Sequence, residues 1–462
     1  MVDACDSGTA SVEYKIQSQH ITDFPETKHE DLCIYRVPPN LRQVNPKAYT
    51  PQLVSIGPFH HGKPQFKAME TQKTRYYIEF QKRINSGRSF GNFKDNIIKT
   101  VQDIRKCYAE KSMLDDKKFA DIIELDAVFI MEFFLRLKEK KNQHKDDYVL
   151  STPWLKEGII LDLILLENQL PIKVLNELYT FQGEKECSTF LDLARIMYSK
   201  PPNMKIKTTE AVKHLTDLLR CSCISPDFRP DNSNDSLNHN SSSAINPSRI
   251  NSRPDNSDDN DNDILYSATK LRDSGISFKA VQGRDLLDIN FEDNCCLYWP
   301  LSWLTRDKIA KARLEIPKLI IDDGTECKFR NLTAFEQCRY PDNQFYICDY
   351  VSFIDGLIET KEDVDFLLEK KIFANYLGSN DAAEKMVNRL GRELVTSSSC
   401  YKTRIRQLNA HYDNTLNHTM ATLRSVYFKD LWRASSTIVG LAVLAFTFVN
   451  FFQAILKKVE LV

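Results

Sequence analysis

Glycine is scarce in this sequence, and the motifs that depend on it are missing. Only 14 of the 462 residues are glycine, and the sequence contains neither a Walker A loop nor a Gly-x-Gly-x-x-Gly dinucleotide fingerprint. The zinc-protease motif His-Glu-x-x-His, the Gly-x-Ser-x-Gly elbow of hydrolases and the protein-kinase motifs are missing as well. We therefore expect no catalytic residue and no cofactor, and we expect that the protein is not an enzyme.

Cysteine pairs with the spacing of metal or redox sites are also missing. Twelve cysteines are scattered along the chain, and no Cys-x-x-Cys pair suggests a zinc ribbon or a thioredoxin-type site. We expect reduced, mostly buried thiols and no metal ligand. The most tempting local cluster is His60-His61, in a Gly/Pro loop without a carboxylate or cysteine at a matching spacing. A rigid packed loop is the favoured interpretation, and a catalytic or metal site near His60-His61 is the alternative.

No charge of one sign is in excess. The 62 Lys and Arg residues nearly balance the 63 Asp and Glu residues, so there is no general electrostatic reason to bind nucleic acid. The N-terminal tail, residues 1–31, is polar and lacks the basic and apolar regions of a secretory signal. We expect no nucleic-acid partner, and we expect delivery to a membrane to depend on another part of the chain.

One long apolar run is present, near the C-terminus. Residues 434–456, from Ala434 through Ile438 and Phe446 to Leu456, carry no charge. As a helix this run spans about 34 Å, enough for a hydrocarbon core of about 30 Å. Basic residues flank it on both sides, and a short tail, residues 457–462, follows. The run predicts one transmembrane helix with the lipid bilayer as its partner; a buried core helix is the alternative.

The orientation of this span is less well determined by the sequence. Basic residues before and after the run differ in number by only one. A C-terminal span without a signal peptide normally leaves the body in the cytosol. Four Asn-x-Ser/Thr sequons, at Asn234, Asn240, Asn331 and Asn417, matter only if the body is luminal. We expect a single-pass protein of the plasma membrane or an endomembrane, with its body in the cytosol.

A polar stretch divides the body. Between Asp231 and Asp263 the chain is mostly Asn, Ser and Asp, a composition that buries too little apolar surface to fold. We therefore predict one helical domain over residues 32–430, interrupted by a disordered insertion at 224–263. Two domains, Leu32–Arg220 and Ile264–Tyr427, are the alternative.

Hydrophobic periodicity predicts helices over Gln65–Ile84, Asp121–Leu137 and Ile159–Leu170. Pro171 ends or kinks the third, and Ile172–Tyr179 starts the next. The polar trio Glu167-Asn168-Gln169 ends an apolar run, and we expect it to satisfy backbone groups freed by the proline.

The second half mixes element types. It predicts helices over Tyr266–Asp273, Asn331–Cys338 and Asp363–Leu377, and short strands over Ile276–Val281, Leu286–Phe291 and Leu314–Ile321. The fold class predicted for the whole chain is therefore mainly α, with a small β element and one C-terminal transmembrane helix.

Several ordered segments together form a recognisable set: Ile34–Pro38, Tyr49–Gly62, Lys67–Glu70 with Lys73, Met131–Phe134, Asp162–Pro171, Ala268–Arg272, Gly275–Phe278 and Asn331–Gln337. With these segments the chain resembles a plant-specific family, the domain of unknown function 247. The resemblance implies a C-terminal transmembrane helix and supplies no catalytic residues. Some relatives are associated with pollen-side recognition in grass self-incompatibility, which implies protein–protein recognition but transfers no site.

Two hypotheses follow. The first is a membrane-anchored, non-catalytic recognition or signalling scaffold with an unknown protein partner. The second is an unrecognised membrane-bound enzyme that uses His60-His61 or the Glu167–Gln169 trio.

Overall fold

Helices form most of the chain that the computed structural model describes, which comprises residues 30–84, 87–139, 144, 146–181, 189–198, 212–225, 228–231, 264–293, 312–395, 399–414, 439–440, 442–451 and 453. The half before the polar stretch contains α1 (Pro39–Val44), α2 (Lys67–Ile84), α3 (Gly87–Lys99), α4 (Val101–Arg105), α5 (Asp116–Lys138), α6 (Tyr148–Ser151), α7 (Pro153–Asp162), α8 (Ile172–Thr180), α9 (Phe190–Tyr198) and α10 (Leu215–Cys223). The helices predicted around α2, α5 and α8 are confirmed.

The second half adds short strands to its helices. Its elements are α11 (Ala268–Asp273), β1 (Ser277–Val281), β2 (Asn290–Glu292), β3 (Arg313–Pro317), β4 (Leu319–Ile321), α12 (Thr325–Arg339), α13 (Tyr346–Gly356), α14 (Lys361–Glu369), β5 (Phe373–Asn375), α15 (Asn380–Leu390) and α16 (Lys402–Asp413). β3 pairs in parallel with β1 and antiparallel with β2, and β4 pairs in parallel with β5. A mainly α fold with a small β element is confirmed.

Helix α5 lies at the centre of the first half because it is apolar around most of its circumference. Asp115 caps it by accepting a hydrogen bond from the backbone N–H of Lys118 at 2.9 Å, and 15 of its 23 residues are buried. Helices α2, α3, α8 and α9 pack around it. A helix apolar on most faces needs such neighbours on most faces, and α5 therefore organises the core of this half.

The two halves share buried contacts. Asn331 on α12 donates to the carbonyl of Ala48 at 2.8 Å and accepts from the backbone N–H of Leu166 at 2.9 Å. Arg220 on α10 pairs with Glu336 on α12 at 2.7 Å, with both side chains buried. These bonds fix α12 against the first half. They also place Asn331, one of the four sequons, out of contact with solvent.

Two helices end earlier in the structure than the sequence predicts. Helix α7 ends at Asp162, not at Leu170, because Asn168 in the following turn donates a hydrogen bond to the carbonyl of Asp162. Helix α14 ends at Glu369, and residues up to 377 do not continue it. Lys371 adopts a φ of 60°, which breaks the helix. The buried Phe373 then starts β5 beside β4.

The predicted strands are also shorter. The run Leu286–Phe291 contributes only its end, since β2 begins at Asn290. The run Leu314–Ile321 is divided at Lys318 between β3 and β4, which belong to different sheets.

Part of the predicted insertion 224–263 falls on described residues. In this part, Phe228 packs against Tyr346 with ring centroids 5.4 Å apart, and Asp231 pairs with Arg404 at 2.7 Å. Residues 226–227 and 232–263 lie outside the described residues, as do the tails 1–29 and 457–462.

The C-terminal apolar run is described only in part. Residues 439–440, 442–451 and 453 are helical. Their large apolar side chains are exposed, namely Val439, Val443, Leu444, Phe446, Phe448, Val449 and Phe451. Within the described ranges, no helix has both the length and the apolar content needed to cross a bilayer. The predicted span 434–456 stays a prediction.

Candidate functional site: the buried Glu167 cluster and two surface clefts

The last residue of α7 and the turn that follows it hold the loop Tyr49–Gly62 through side chains. Asp162 accepts hydrogen bonds from the backbone N–H groups of Gln52, Leu53 and Val54 at 2.9, 2.6 and 2.8 Å. Burial raises the pKa of Asp162 to about 6, although these three donors favour its charged form. The carboxylate thus acts as an anchor for the loop backbone.

Asn168 makes the next attachment to the same loop. Its side-chain oxygen accepts from the N–H of Ile56 at 2.6 Å, and its NH2 group donates to the carbonyls of Val54 at 3.0 Å and Asp162 at 2.9 Å. All these contacts are buried. Asn168 therefore bonds both the last carbonyl group of α7 and backbone groups of the loop, so the helix can end at Asp162.

Gln169 performs a similar role toward α10. Its NH2 group donates to the carbonyls of Leu163 and Leu165 at 2.7 and 2.8 Å, and its oxygen accepts from the N–H of Leu215 at 3.0 Å. The polar trio satisfies backbone groups, as expected, but these belong to α7, the following turn, the loop and α10, and no bond to a group freed by Pro171 is seen among them.

A buried ion pair fixes the middle of the loop. Lys73 donates to Asp126 at 2.6 Å and to Glu70 at 2.7 Å, and it also donates to the carbonyl of Ser55. Asp126 accepts in turn from the N–H of Gly57 at 2.8 Å. Burial lowers the pKa of Lys73, but the two carboxylates more than offset this and hold the pKa above its ordinary value. Lys73 is therefore a buried cation.

Glu167 is the centre of a second group, which we call the Glu167 cluster: Glu167, Arg36, Arg42, His60 and the backbone N–H of Val37. Glu167 accepts from Val37 at 2.8 Å and from Arg36 at 3.2 Å, pairs with Arg42, and lies 3.2 Å from Nε2 of His60. Burial raises the pKa of Glu167, but His60, Arg42, Val37 and Arg36 outweigh it, and the pKa falls to about 2. The carboxylate stays charged over the physiological range.

His60 is held between two partners. Lys63 lies 2.8 Å from Nδ1, so this nitrogen accepts and Nε2 carries the hydrogen. Nε2 lies 3.2 Å from Glu167, but the geometry there is not that of a hydrogen bond. Burial lowers the pKa of His60, and the contribution of Glu167 does not reverse this. His60 and Glu167 are 3% and 2% exposed, so a substrate much larger than water has little access to either. Among the described residues, no three His, Cys, Asp or Glu side chains are grouped to hold a metal ion.

A small cleft of about 260 Å³ opens beside this cluster; we call it the Arg36 cleft. It is lined by Arg36, Pro58, Phe59, His61, Glu110, Lys111, Ser112, Met113 and Leu114. The guanidinium of Arg36 lies 4.2 Å from the centre of the Phe59 ring and pairs with Glu110 at 2.6 Å. His61 is exposed here, in contrast to its buried neighbour His60. The two adjacent histidines therefore do not converge on one site.

A larger cleft of about 780 Å³, which we call the α2 cleft, lies along α2. It is lined by Gln72, Arg75, Tyr76, Glu79, Lys82, Arg83, Glu132, Arg136, His144, Asp146, Asp147 and Tyr148. An ion network stiffens its floor: Arg136 bridges Glu132 and Asp147 at 2.7 and 2.6 Å, and Arg83 pairs with Glu132 at 2.9 Å. Tyr148 and Arg75 are exposed at its surface.

Comparison with known proteins agrees with these motifs. The family of the domain of unknown function 247, described as a plant protein of unknown function, matches residues 34–446. The chain belongs to this family. The resemblance inferred from the sequence is thus confirmed.

Two curated relatives of this family member come from Arabidopsis thaliana. The chain is similar to UPF0481 protein At3g47200, with 28% identity over 443 residues covering 93% of this chain and 87% of the relative. It is similar to Putative UPF0481 protein At3g02645, with 21% identity over 513 residues covering 92% and 91%. No solved structure gives a significant match to this family member.

Of the residues singled out in the apolar run, Phe446 is described; it is helical and 68% exposed. Ala434, Ile438 and Leu456 lie outside the described residues. Sequence reasoning missed Arg42 and Asp126 in the buried groups. Arg36, His60, Lys73 and Asp162 stand within the segments that resemble the family, but no motif rule assigns them these contacts.

Proposed function

We propose that this family member is a membrane-anchored, non-catalytic protein that recognises another protein through its helical body. The bilayer is its first partner, through residues 434–456, and a protein is its second. We place it in the plasma membrane or an endomembrane, with the body in the cytosol. The observation that carries the proposal is the row of exposed apolar side chains along the C-terminal helix.

Lipid is the solvent that suits this row best. Val443, Phe446 and Phe451 are all more than half exposed, and water contact with so many large apolar groups on one short helix is unfavourable. The described stretch falls within the uncharged run 434–456, whose length fits a hydrocarbon core. These two features support a membrane anchor together.

The buried polar groups support a structural role for the sequence motifs. Asp162, Asn168 and Gln169 are bonded to backbone groups, while Lys73 and Glu167 are paired with opposite charges. A catalytic site needs a group that reaches the substrate. The side chains of these motifs instead hold the body rigid, as a recognition surface requires.

The α2 cleft is the surface that we assign to the protein partner. Tyr148 and Arg75 are residue types that dominate binding energy at interfaces. Both are exposed there, and Arg75 makes no ion pair within the described part of the chain. The ion network beneath them orders the cleft before binding, which lowers the entropic cost of association.

Affinity capture tests the recognition part of the proposal. The full chain is recovered from plant membranes in mild detergent, either unaltered or with Tyr148→Ala and Arg75→Ala together. The matched control carries Tyr376→Ala and Arg392→Ala, which are exposed in the second half. We expect a reproducible partner that the cleft variant loses and the control retains. No reproducible partner in several tissues, or equal loss in both variants, contradicts the proposal.

The alternative is a membrane-bound enzyme with its site near His60-His61. One observation favours it: His61 is exposed in the Arg36 cleft beside the cation Arg36. Turnover of any small molecule by the purified chain, lost on His61→Ala and retained on the exposed control Tyr376→Ala, would support this alternative.

A further inference from the structure

The first described segment joins the end of α4 through a short parallel bridge between Ile34 and Tyr108. The N–H of Ile34 donates to the carbonyl of Cys107 at 2.8 Å, and the N–H of Ala109 donates to the carbonyl of Ile34 at 2.9 Å. The N–H of Cys33 donates to the same carbonyl of Cys107 at 3.0 Å. Cys33 and Cys107 are therefore neighbours in register, one residue before the bridged pair.

This register sets the backbones of the two cysteines side by side, with Cys107 in the turn that follows α4. Backbones bridged by such hydrogen bonds lie about 4.8 Å apart. Disulfides join Cα atoms about 4.4–6.8 Å apart, so the backbone spacing is already suitable. The Cys107 thiol donates to the carbonyl of Asp103 at 3.5 Å. The two thiols also influence each other: the nearby Cys107 raises the pKa of the Cys33 thiol, and the nearby Cys33 lowers the pKa of the Cys107 thiol.

We propose that Cys33 and Cys107, both thiols in this structure, are a disulfide-forming pair whose oxidant is a peroxide. Both side chains are buried, at 2% and 3% exposure, and both lie in the core of the first half. This inference stands apart from the proposed membrane and recognition roles and depends on neither.

The chemistry balances with hydrogen peroxide as the co-reactant. The sulfur of Cys107, which the lowered pKa makes the better nucleophile, attacks one peroxide oxygen. The O–O bond breaks, Cys107 becomes a sulfenic acid and one water leaves. The sulfur of Cys33 then displaces the hydroxyl group from Cys107 as a second water. Two thiols are oxidised, one peroxide is reduced, and both thiol protons leave in water.

A disulfide between Cys33 and Cys107 would affect the stability of the Glu167 cluster. It closes the chain from Cys33 to Cys107, which includes Arg36, Val37 and the whole loop Tyr49–Gly62. A cross-link over so long a segment restricts the unfolded chain strongly. Oxidation therefore stabilises the folded position of the segment that places Arg36 and Val37 against Glu167.

Peptide mapping of the full chain in detergent micelles tests this inference. Trypsin cuts after Lys and Arg, so Cys33 falls in the peptide 29–36 and Cys107 in the peptide 107–111, each with one cysteine. The chain is treated with hydrogen peroxide or with a reductant, free thiols are alkylated in denaturant, and the digest is analysed by mass spectrometry. We expect the peptides 29–36 and 107–111 to be linked after peroxide, two hydrogen atoms lighter than their sum.

Variants separate this pairing from general oxidation. Cys33→Ser or Cys107→Ser should abolish the linked species, and Cys221→Ser, at a half-buried thiol elsewhere, should leave it unchanged. The oxidised unaltered chain should also unfold at a higher temperature than the reduced chain, a shift that Cys33→Ser lacks. If both peptides are recovered separately alkylated or further oxidised under peroxide that oxidises Cys221, the inference is wrong. Linkage of Cys33 to another cysteine overturns it equally.

Discussion

Lys73 and Asp126 form an ion pair of 2.6 Å between two side chains that are almost completely removed from solvent. The pair connects α2 to α5, and through the backbone of Ser55 and Gly57 it also holds the loop Tyr49–Gly62. Lys73 thereby links three parts of the first half: α2, α5 and the loop. The loop conformation depends on the positive charge of Lys73, and water cannot take its place at this buried site.

Removing this lysine should be costly. Lys73→Met keeps the length of the side chain but leaves Asp126 buried without its cation, and we expect a loss of about 3–5 kcal/mol in the free energy of unfolding. Lys82→Met on the same helix removes an exposed pair with Glu79 and should cost less than about 1 kcal/mol. Denaturant unfolding of the full chain in micelles, followed by circular dichroism, measures both. Equal effects would contradict the assigned role of Lys73.

The close approach of the loop to the turn after α7 can be tested at Gly57. Gly57 has a φ of +71°, and a Cβ atom there would lie 2.8 Å from the carbonyl oxygen of Gln169. Gly62 has a similar φ of +79° but open space around it. We expect Gly62→Ala to cost about 1 kcal/mol from backbone strain alone. Gly57→Ala adds a collision with fixed backbone and should cost at least about 1 kcal/mol more.

The comparison of these two alanine variants isolates the contact with Gln169. Thermal unfolding of both under one condition is sufficient. A Gly57→Ala protein as stable as Gly62→Ala would mean that the loop and the turn are not in contact.

The Glu167 cluster predicts a specific response to acid. The pKa of Glu167 is about 2 in the folded protein, below the ordinary value of 4.5, so its contribution to stability is complete above pH 4.5 and is lost as the pH falls toward 2. The difference corresponds to about 3 kcal/mol. Glu167→Gln lacks this contribution. The gap in unfolding free energy between the unaltered chain and Glu167→Gln should therefore shrink by about that amount between pH 5 and pH 2.

Glu79→Gln serves as the control for this titration, since Glu79 is an exposed carboxylate. Its pH profile should follow that of the unaltered chain closely. A gap between the unaltered chain and Glu167→Gln that does not change with pH would show that Glu167 is not held in its charged form.

The sequence predicts the long helices well because their burial is a local, periodic property. The predicted Gln65–Ile84 and Asp121–Leu137 correspond to α2 and α5, and both were recognisable from apolar residues alone. The apolar run after Asp162 was misassigned for the opposite reason. There, Asn168 and Gln169 take up the carbonyl groups that a continuing helix would use, and this competition is not a periodic signal.

The ion clusters could not be predicted from spacing. Glu167 contacts Arg36 across 131 residues of sequence, and no rule for helices or strands connects positions so far apart. A family resemblance covering Arg36, His60 and Glu167 was the one available signal, and it gives no geometry. The exposed apolar side chains of the C-terminal helix, by contrast, follow from composition, because a 23-residue uncharged run leaves few polar positions.

Alkaline extraction of membranes tests the central proposal, that residues 434–456 are solvated by lipid, most directly. Membranes from cells that express the full chain are washed with sodium carbonate and sedimented. We expect the unaltered chain in the pellet. Val443→Arg with Phe446→Arg, at about 3 kcal/mol for each buried charge, should move the chain to the supernatant.

The control, Ile78→Arg with Ile320→Arg, places the same charges at two exposed positions of the body and should stay in the pellet. Protease protection of the same vesicles then reports the side of the membrane on which the body lies. Release of the unaltered chain by carbonate would contradict the proposed membrane anchor.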